Sequence, residues 1–257
     1  MLGLSIPEIA ERSSGLDPGA VALIARMSVA PSAARGRAID AVVRGLKASG
    51  VWGKLVALHV MAAHDAQAAR LNWVQVAYDL GAVNAPGFVA DRGYAGNGSN
   101  SYLDTGWAPN AGAQDSLCFA VWDRTGTQSA MPVAGTSTTT GVVIIPRNAS
   151  DAAGVRVNQA SASASAAGSV VDGSGFTAAN RSAANAVQIY RNGALLASAS
   201  TASSAPSAAS LALGVYNNGN FSAHQFAACA IGSSLSAGEQ AALYGALLGY
   251  MQVVGAA

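Results

Sequence analysis

Acid–base and nucleophilic catalysis need carboxylates, histidines or reactive thiols within reach of one another, and this sequence is poor in all three. It has 3 histidines, 2 cysteines and 13 acidic residues in 257 positions. From Tyr94 to Met251 there is one glutamate, Glu239, and no lysine. A glycosidase needs two carboxyl groups about 5–9 Å apart across the scissile bond. The nearest thing to such a pair is Asp115 with Asp123, which bracket a hydrophobic strand at opposite ends. There is no Gly-x-Ser-x-Gly elbow, HExxH, P-loop or paired CxxC. The fragment Gly50-Val51-Trp52-Gly53-Lys54 lacks the first glycine of a P-loop and reads as a helix junction. His59 and His64 fall in the N-terminal part, and His224 begins a strand, where it reads as a rim residue. The expectation is a binding or structural protein rather than an enzyme.

The elements around these residues change character near residue 92. Before it, charges and helix-period apolar residues alternate; after it come short β-like runs set in Ala, Ser, Gly, Thr and Asn. Residues 1–17 read as an arm. Asp17-Pro18 opens a helix, with Asp able to cap free N–H groups and Pro tolerated at the first helical position. Ile39, Val42, Val43 and Leu46 recur at helical spacing. A third helix is expected from Val51 to Met61 and a short fourth from Asp65 to Leu71, giving a helical module over 18–75 that leans on the remainder. Residues 76–257 read as a sandwich. Phe88-Val89, Tyr102-Leu103, Ser116 to Trp122, Val142 to Ile145, Gly154 to Val157, Leu211 to Tyr216 and His224 to Ile231 are its strands. Val187 to Tyr190, Asn192-Gly193 and Ala194 to Ser198 form a hairpin, because a two-residue type I′ turn favours Asn-Gly. The Ser/Ala tracts 160–169 and 197–210 read as strands flanked by loops. Ser236 with Glu239 makes a capping box at the start of a closing helix, Ala237 to Tyr250. Many short strands at even spacing argue for a sandwich or jelly roll.

Composition narrows the partners. Charged residues are 11%, against about 25% in an ordinary domain, and a net charge of +1 gives no reason to expect nucleic acid. A surface so poor in charge suggests that copies of the chain or other proteins cover much of it, with a homo-oligomer expected. Mean hydropathy is +0.30, but no apolar run is long enough to span a bilayer; Val51 to Ala63 is broken by Lys54 and His59. Glu8 and Glu11 stand where a secretory leader needs basic residues, so no signal peptide is expected. Cys118 and Cys229 read as buried free thiols. The excess of Ala, Gly, Val and Arg over lysine suggests a GC-rich bacterial or phage genome.

The segments DRGYAGNGSNSYLDTG and FAACAIGSSLS with its helix, with generic sandwich texture over residues 18–250, resemble virion-associated proteins of tailed bacteriophages and phage-like gene transfer agents. That resemblance implies a mainly β fold: a concanavalin A-like (laminin-G-like) jelly roll behind a small helical module, with a closing C-terminal helix. It implies a head spike, head fibre or tail fibre on the virion surface, made in the bacterial cytoplasm. Enzymes of the concanavalin A-like class commonly carry two glutamates on one strand, and no strand here does. The fold class often binds Ca²⁺ through loop oxygens, for which Asp91, Asn97, Asn100 and Asp104 are candidates; the same residue types are ordinary turn formers. Sugar binding needs an exposed aromatic plane beside amide or carboxylate groups. Trp107 and Tyr216 with Asn217 and Asn218 are the candidates, while Trp122 reads as core. The expected partners are capsid, portal or fibre subunits and a host surface polysaccharide. The alternative is a decoration or scaffold protein of the particle without a ligand.

Overall fold

The strand Leu117–Asp123 is buried along its whole length, which requires cover on both faces of the sheet that holds it. One face sends Leu117, Phe119 and Val121 into a core shared with Met61, Leu103, Val133 and Ile144. The other sends Cys118, Ala120 and Trp122 into a second core beneath helices. The molecule is therefore a helical layer, a sheet and a second sheet, stacked in that order. The computed structural model describes residues 15–136, 141–160, 166–217 and 219–257.

Among the described residues the sheet under the helices has eight antiparallel strands. Its path runs Ala194–Ala199, Ala186–Arg191, Gly175–Ala183, Leu117–Asp123, Gln225–Gly232, Gly93–Ala95 and Gly87–Val89, with Leu55–Val60 also paired to Gln225–Gly232. The outer sheet has seven: Ala166–Ser169, Ala152–Gln159, Gly141–Ile145, Ala134–Thr136, Leu211–Leu213, Tyr102–Asp104 and Gly81–Val83. The expected β-sandwich with N-terminal helices and a closing helix is the fold observed.

The helical module differs from expectation. The run from Val51 is a single 3₁₀ turn, Trp52–Lys54, followed by the strand Leu55–Val60. This strand pairs from Leu55 opposite Gly232 to Val60 opposite Ala228. A short apolar run cannot be told from a helix by periodicity; a strand partner some 170 residues further on decides it. The stretch from Asp65 is one 3₁₀ turn, Ala68–Arg70. Two helices, Pro18–Ala25 and Ala33–Ala48, lie beside the closing helix Ala237–Val253 and share its core. The strand Leu55–Val60, which falls within 18–75, thus belongs to the sheet under the helices. Asp17 caps the first helix through Oδ1, which accepts from the Gly19 N–H at 2.7 Å and from Lys47 Nζ at 2.5 Å. The arm over 1–17 lies mostly outside the described residues. Of the Ser/Ala tracts, Ala166–Ser169 is a strand, the Ala194–Ala199 strand runs into the second tract, and 200–210 is irregular.

The closing helix carries the capping box read from sequence: Ser236 Oγ accepts from the Glu239 N–H, and Glu239 accepts from the Ser236 N–H. Glu239 also meets Lys54 at 2.7 Å, tying the helix to the turn before the Leu55–Val60 strand. Ser236→Ala is expected to cost about 1 kcal/mol, readable as a lower urea midpoint at unchanged slope. The two cysteines are free and buried. They sit in different cores on opposite faces of one sheet, Cys118 under the helices and Cys229 between the sheets. Burial pushes the Cys118 thiol up to about 12 and the Cys229 thiol upward as well, so both behave as inert packing groups. No helix among the described residues is long and apolar enough to cross a membrane.

Candidate ligand-binding cleft

The ends of four strands meet the closing helix at one corner of the molecule. The central strand ends at Asp123-Arg124, and the Gly175–Ala183 strand begins beside it, with Gly175 opposite Asp123. The Ala186–Arg191 strand ends in the Asn192-Gly193 turn, where φ is +48° and +78° as a type I′ turn demands. Its Gly193 lies against the side chain of Tyr244 on the closing helix. These elements enclose a cleft of about 340 Å³ lined by Trp122, Asp123, Asp172, Ser174, Asn192 and Tyr244 among others. A shallower groove of about 510 Å³ adjoins it and shares Asp172, Ser174 and Asn192.

The apolar wall is aromatic. Tyr244 stacks on Trp122 with ring centroids 5.6 Å apart and planes 18° apart, and Phe176 braces both at 6.1–6.2 Å. Trp122 is buried and Tyr244 half-buried, so Tyr244 is the ring with a face open to the cleft. The polar rim is held from below. Arg191 donates to Thr177 Oγ1 at 2.7 Å and to the carbonyls of Asp172 and Ser174 at 2.9 and 2.7 Å, which fixes the 172–174 loop. Asp172 accepts from the Ser174 N–H at 2.9 Å and from Ser174 Oγ at 2.7 Å. These bonds, with Arg191 and Arg147 nearby, hold its carboxyl below the usual range, so it is ionised at neutral pH. Asn192 Oδ1 accepts from the Phe176 N–H at 2.9 Å, which leaves its Nδ2 to donate outward. On the remaining side Arg124 donates to the Ala256 carbonyl and Arg92 to the Gly255 carbonyl.

Below the cleft, Asp123 Oδ2 meets His224 Nδ1 at 2.5 Å, and Asp123 Oδ1 accepts from the Thr125 N–H at 2.8 Å. Asp123 is fully buried, and burial pushes its carboxyl upward against the opposing pull of His224. His224 is therefore a buried partner of Asp123 and not the rim residue its position suggested. The pair joins the last residue of the central strand to the residue just before its neighbour Gln225–Gly232, 101 residues away.

The aromatics expected to bind sugar are packed inside. Trp107 is 4% exposed in the core between the sheets, with its backbone N–H donating to Thr105 Oγ1 at 3.2 Å. Tyr216 is 7% exposed; its hydroxyl accepts from Arg156 Nη2 at 2.8 Å, and the guanidinium lies 5.6 Å from its ring centre. Neither offers a face to a ligand, because packing and the arginine occupy them. Asn217 is a turn residue with φ +53°, and Asn218 lies outside the described residues. The calcium candidates are not gathered in one place. Asp91 pairs with Arg35 at 2.7 Å. Asn97 Oδ1 accepts from the N–H groups of Ser99, Asn100 and Ser101, and its Nδ2 donates to Asn100 Oδ1, so these two close their own turn. Asp104 lies on the outer sheet and accepts from the Gly106 N–H. Each is satisfied as a turn residue or an ion-pair partner. The cleft is not legible in the sequence because its residues come from five distant segments, although the central strand, the Asn192-Gly193 turn and the closing helix are each legible on their own.

Fold and cleft together define a β-sandwich with a ligand-sized corner depression. No family model matches the sequence, and no curated protein matches it. Among solved structures the chain is similar to a mutant of Trypanosoma rangeli sialidase displaying trans-sialidase activity, with TM-score 0.55 and 13% identity over 81% of this chain and 38% of that one. It is similar to the T. rangeli sialidase in complex with 2,3-difluorosialic acid, with TM-score 0.56 and 14% identity over the same shares. The botulinum neurotoxin serotype D binding domain is similar at TM-score 0.52 and 8% identity, over 76% of this chain and 52% of that one. The chain thus spans 38% of the sialidase chains it matches. At these identities the likeness shows the fold alone. It also overturns the expectation, drawn from scarce carboxylates, that the chain is not an enzyme: the fold is found within sialidase chains, and composition does not exclude catalysis on it. The likeness does not itself establish an activity.

Proposed function

We propose that this chain is a glycan-binding β-sandwich carried on the surface of a phage-like particle, with the Tyr244 cleft as its binding site. The observation that carries the reading is the half-buried Tyr244, seated on Trp122 and ringed by Asp172, Ser174 and Asn192. An aromatic face suits the C–H side of a sugar ring, and carboxylate and amide groups suit its hydroxyls. Two facts support it from outside the cleft: one structural neighbour was solved with 2,3-difluorosialic acid and another is a toxin's binding domain. The particle setting rests on the resemblance of DRGYAGNGSNSYLDTG and FAACAIGSSLS to virion-associated proteins. In that setting the N-terminal region meets capsid, portal or fibre subunits and the cleft meets host surface polysaccharide. A shallow site is weak alone, and many copies raise avidity by about 10²–10⁴.

The test is titration of the protein, free and displayed in many copies, against surface polysaccharides of bacterial hosts. Saturable binding is expected. Tyr244→Leu, which keeps apolar cover over Trp122, is expected to weaken it at least about tenfold while the protein stays folded, with a modestly lower melting temperature from the lost ring contacts to Trp122 and Phe176. Absence of binding in the multivalent format, or binding indifferent to Tyr244→Leu, would overturn the reading and leave a ligand-free decoration protein as the better account.

A further inference from the structure

We infer that the cleft takes acidic glycans, and that Arg124 receives their carboxylate. This deepens the glycan-binding reading and rests on it. Arg124 lines the cleft beside Ala256 and Ala257. Its Nη1 donates to the Ala256 carbonyl. That leaves the Nε–Nη2 edge of the guanidinium. Nε is buried there without a hydrogen-bond partner, and among the described residues Nη2 has no acceptor either. A guanidinium edge of this kind takes a carboxylate through two parallel N–H groups. A carboxylate seated on it also gives the buried Nε–H the acceptor that buried donors need.

The charge on Arg124 is not spent inside the protein. Among the described residues no carboxylate lies within ion-pair distance of it or of Arg92. Burial and the neighbouring Arg92 guanidinium hold its pKa below the usual arginine range, and no acidic side chain opposes them. Arg92 itself is tied to the Asp91 and Gly255 carbonyls, while the Asp91 carboxylate is taken by Arg35. The carboxylate on the cleft rim does not cancel this charge. Asp172 belongs to the 172–174 loop, and the cations that act on it are Arg191, which lines the adjoining groove, and Arg147. The cleft is thus positive beside Ala256 and rich in acceptors beside Ser174. A sugar acid matches both: its carboxylate meets Arg124, its ring lies on Tyr244 and its hydroxyls donate to Asp172. A neutral sugar fills the ring and hydroxyl positions and leaves Arg124 without an acceptor.

The experiment is isothermal titration of the full chain with oligogalacturonate and oligosialate, each compared with its carboxyl-reduced form, which keeps the rings and linkage and removes the charge. At least one acid is expected to bind about tenfold or more tightly than its reduced form. Arg124→Gln is expected to erase that preference, and Arg124→Lys, which keeps the charge and loses the fork, to retain only part of it. Arg37→Gln removes the same charge from an exposed position on the Ala33–Ala48 helix, outside the cleft lining, and is expected to leave the preference intact. Circular dichroism checks that each variant is folded; if Arg124→Gln is not, the Arg124→Lys result decides. Reduced forms that bind as tightly as the acids or more so, with binding weakened in Tyr244→Leu, overturn the acidic preference and leave glycan binding at the cleft standing. A preference unchanged in the Arg124 variants, or lost equally in Arg37→Gln, removes the role given to Arg124. Binding of none of these ligands counts against both readings.

Discussion

Gly93→Ala is expected to lower the free energy of unfolding by about 2–6 kcal/mol, a large share of the stability of a typical domain. Two independent penalties meet at this position. Gly93 has φ +105°, a conformation that costs a residue with a side chain about 1–3 kcal/mol. An added Cβ would also collide with the Phe226 carbonyl oxygen and lie 2.9 Å from its carbon. That carbonyl is backbone of the Gln225–Gly232 strand and cannot swing aside as a side chain could. Overpacking of this kind costs about 1–3 kcal/mol more. The control is Gly245→Ala on the closing helix, where nothing lies within 4 Å of the added carbon. That change is expected to raise stability by about 0.5–1 kcal/mol, since alanine loses less backbone freedom in a helix. Urea midpoints of the three proteins check both signs. A Gly93→Ala midpoint equal to wild type would mean that the Gly93–Ala95 strand does not lie against Phe226 as described.

The same residue shows what was legible in the sequence. Gly93 belongs to the segment DRGYAGNGSNSYLDTG, whose glycines and asparagines mark turns on short-range grounds alone. Signals of that range held up well: the Asn192-Gly193 turn, the capping box at Ser236 and the all-buried strand through Phe119 each depend on a few neighbouring residues. Decisions made by distant partners were not legible. Leu55–Val60 is a strand because Gln225–Gly232 runs beside it. Trp107 and Tyr216 are buried because two sheets and Arg156 close over them. The cleft needs Trp122, Asp172, Asn192 and Tyr244 at one corner, and no window of sequence contains more than two of them. Scarcity of carboxylates was readable as composition, but pairing Asp123 with His224 and setting Asp172 on the cleft rim are properties of topology.

Acid should destabilise this protein well above the pH at which ordinary carboxylates titrate, and His59 is the cause. It is fully buried on the Leu55–Val60 strand. Nε2 lies 2.8 Å from the Tyr78 carbonyl, which can only accept, so Nε2 carries the proton and Nδ1 is the bare nitrogen. Nδ1 is buried with no hydrogen-bond partner, so a second proton there would be an unsolvated charge. Burial therefore holds the imidazole at about 4 instead of 6.5; Asp79 and Arg26, which act on it with opposite signs, are paired with each other at 2.6 Å. The folded value lies below the unfolded one for a basic group. Between those values the unfolded chain binds a proton that the folded chain refuses, so stability is intact above pH 6.5 and falls as pH drops toward 4. The gap corresponds to about 3 kcal/mol. Lowered carboxylates such as Asp172 and Glu239 also lose stability in acid, but at lower pH and equally in a His59 variant. Urea midpoints of wild type and His59→Gln at pH 7, 5.5 and 4.5 isolate the histidine: the wild-type curve should fall more steeply across this window. Should His59→Gln not fold, a proton NMR titration of the wild-type imidazole serves instead, with its ring signals expected to stay unshifted down to about pH 5. Parallel midpoint curves, or a ring that titrates near 6.5, would show that His59 is not sealed away from solvent.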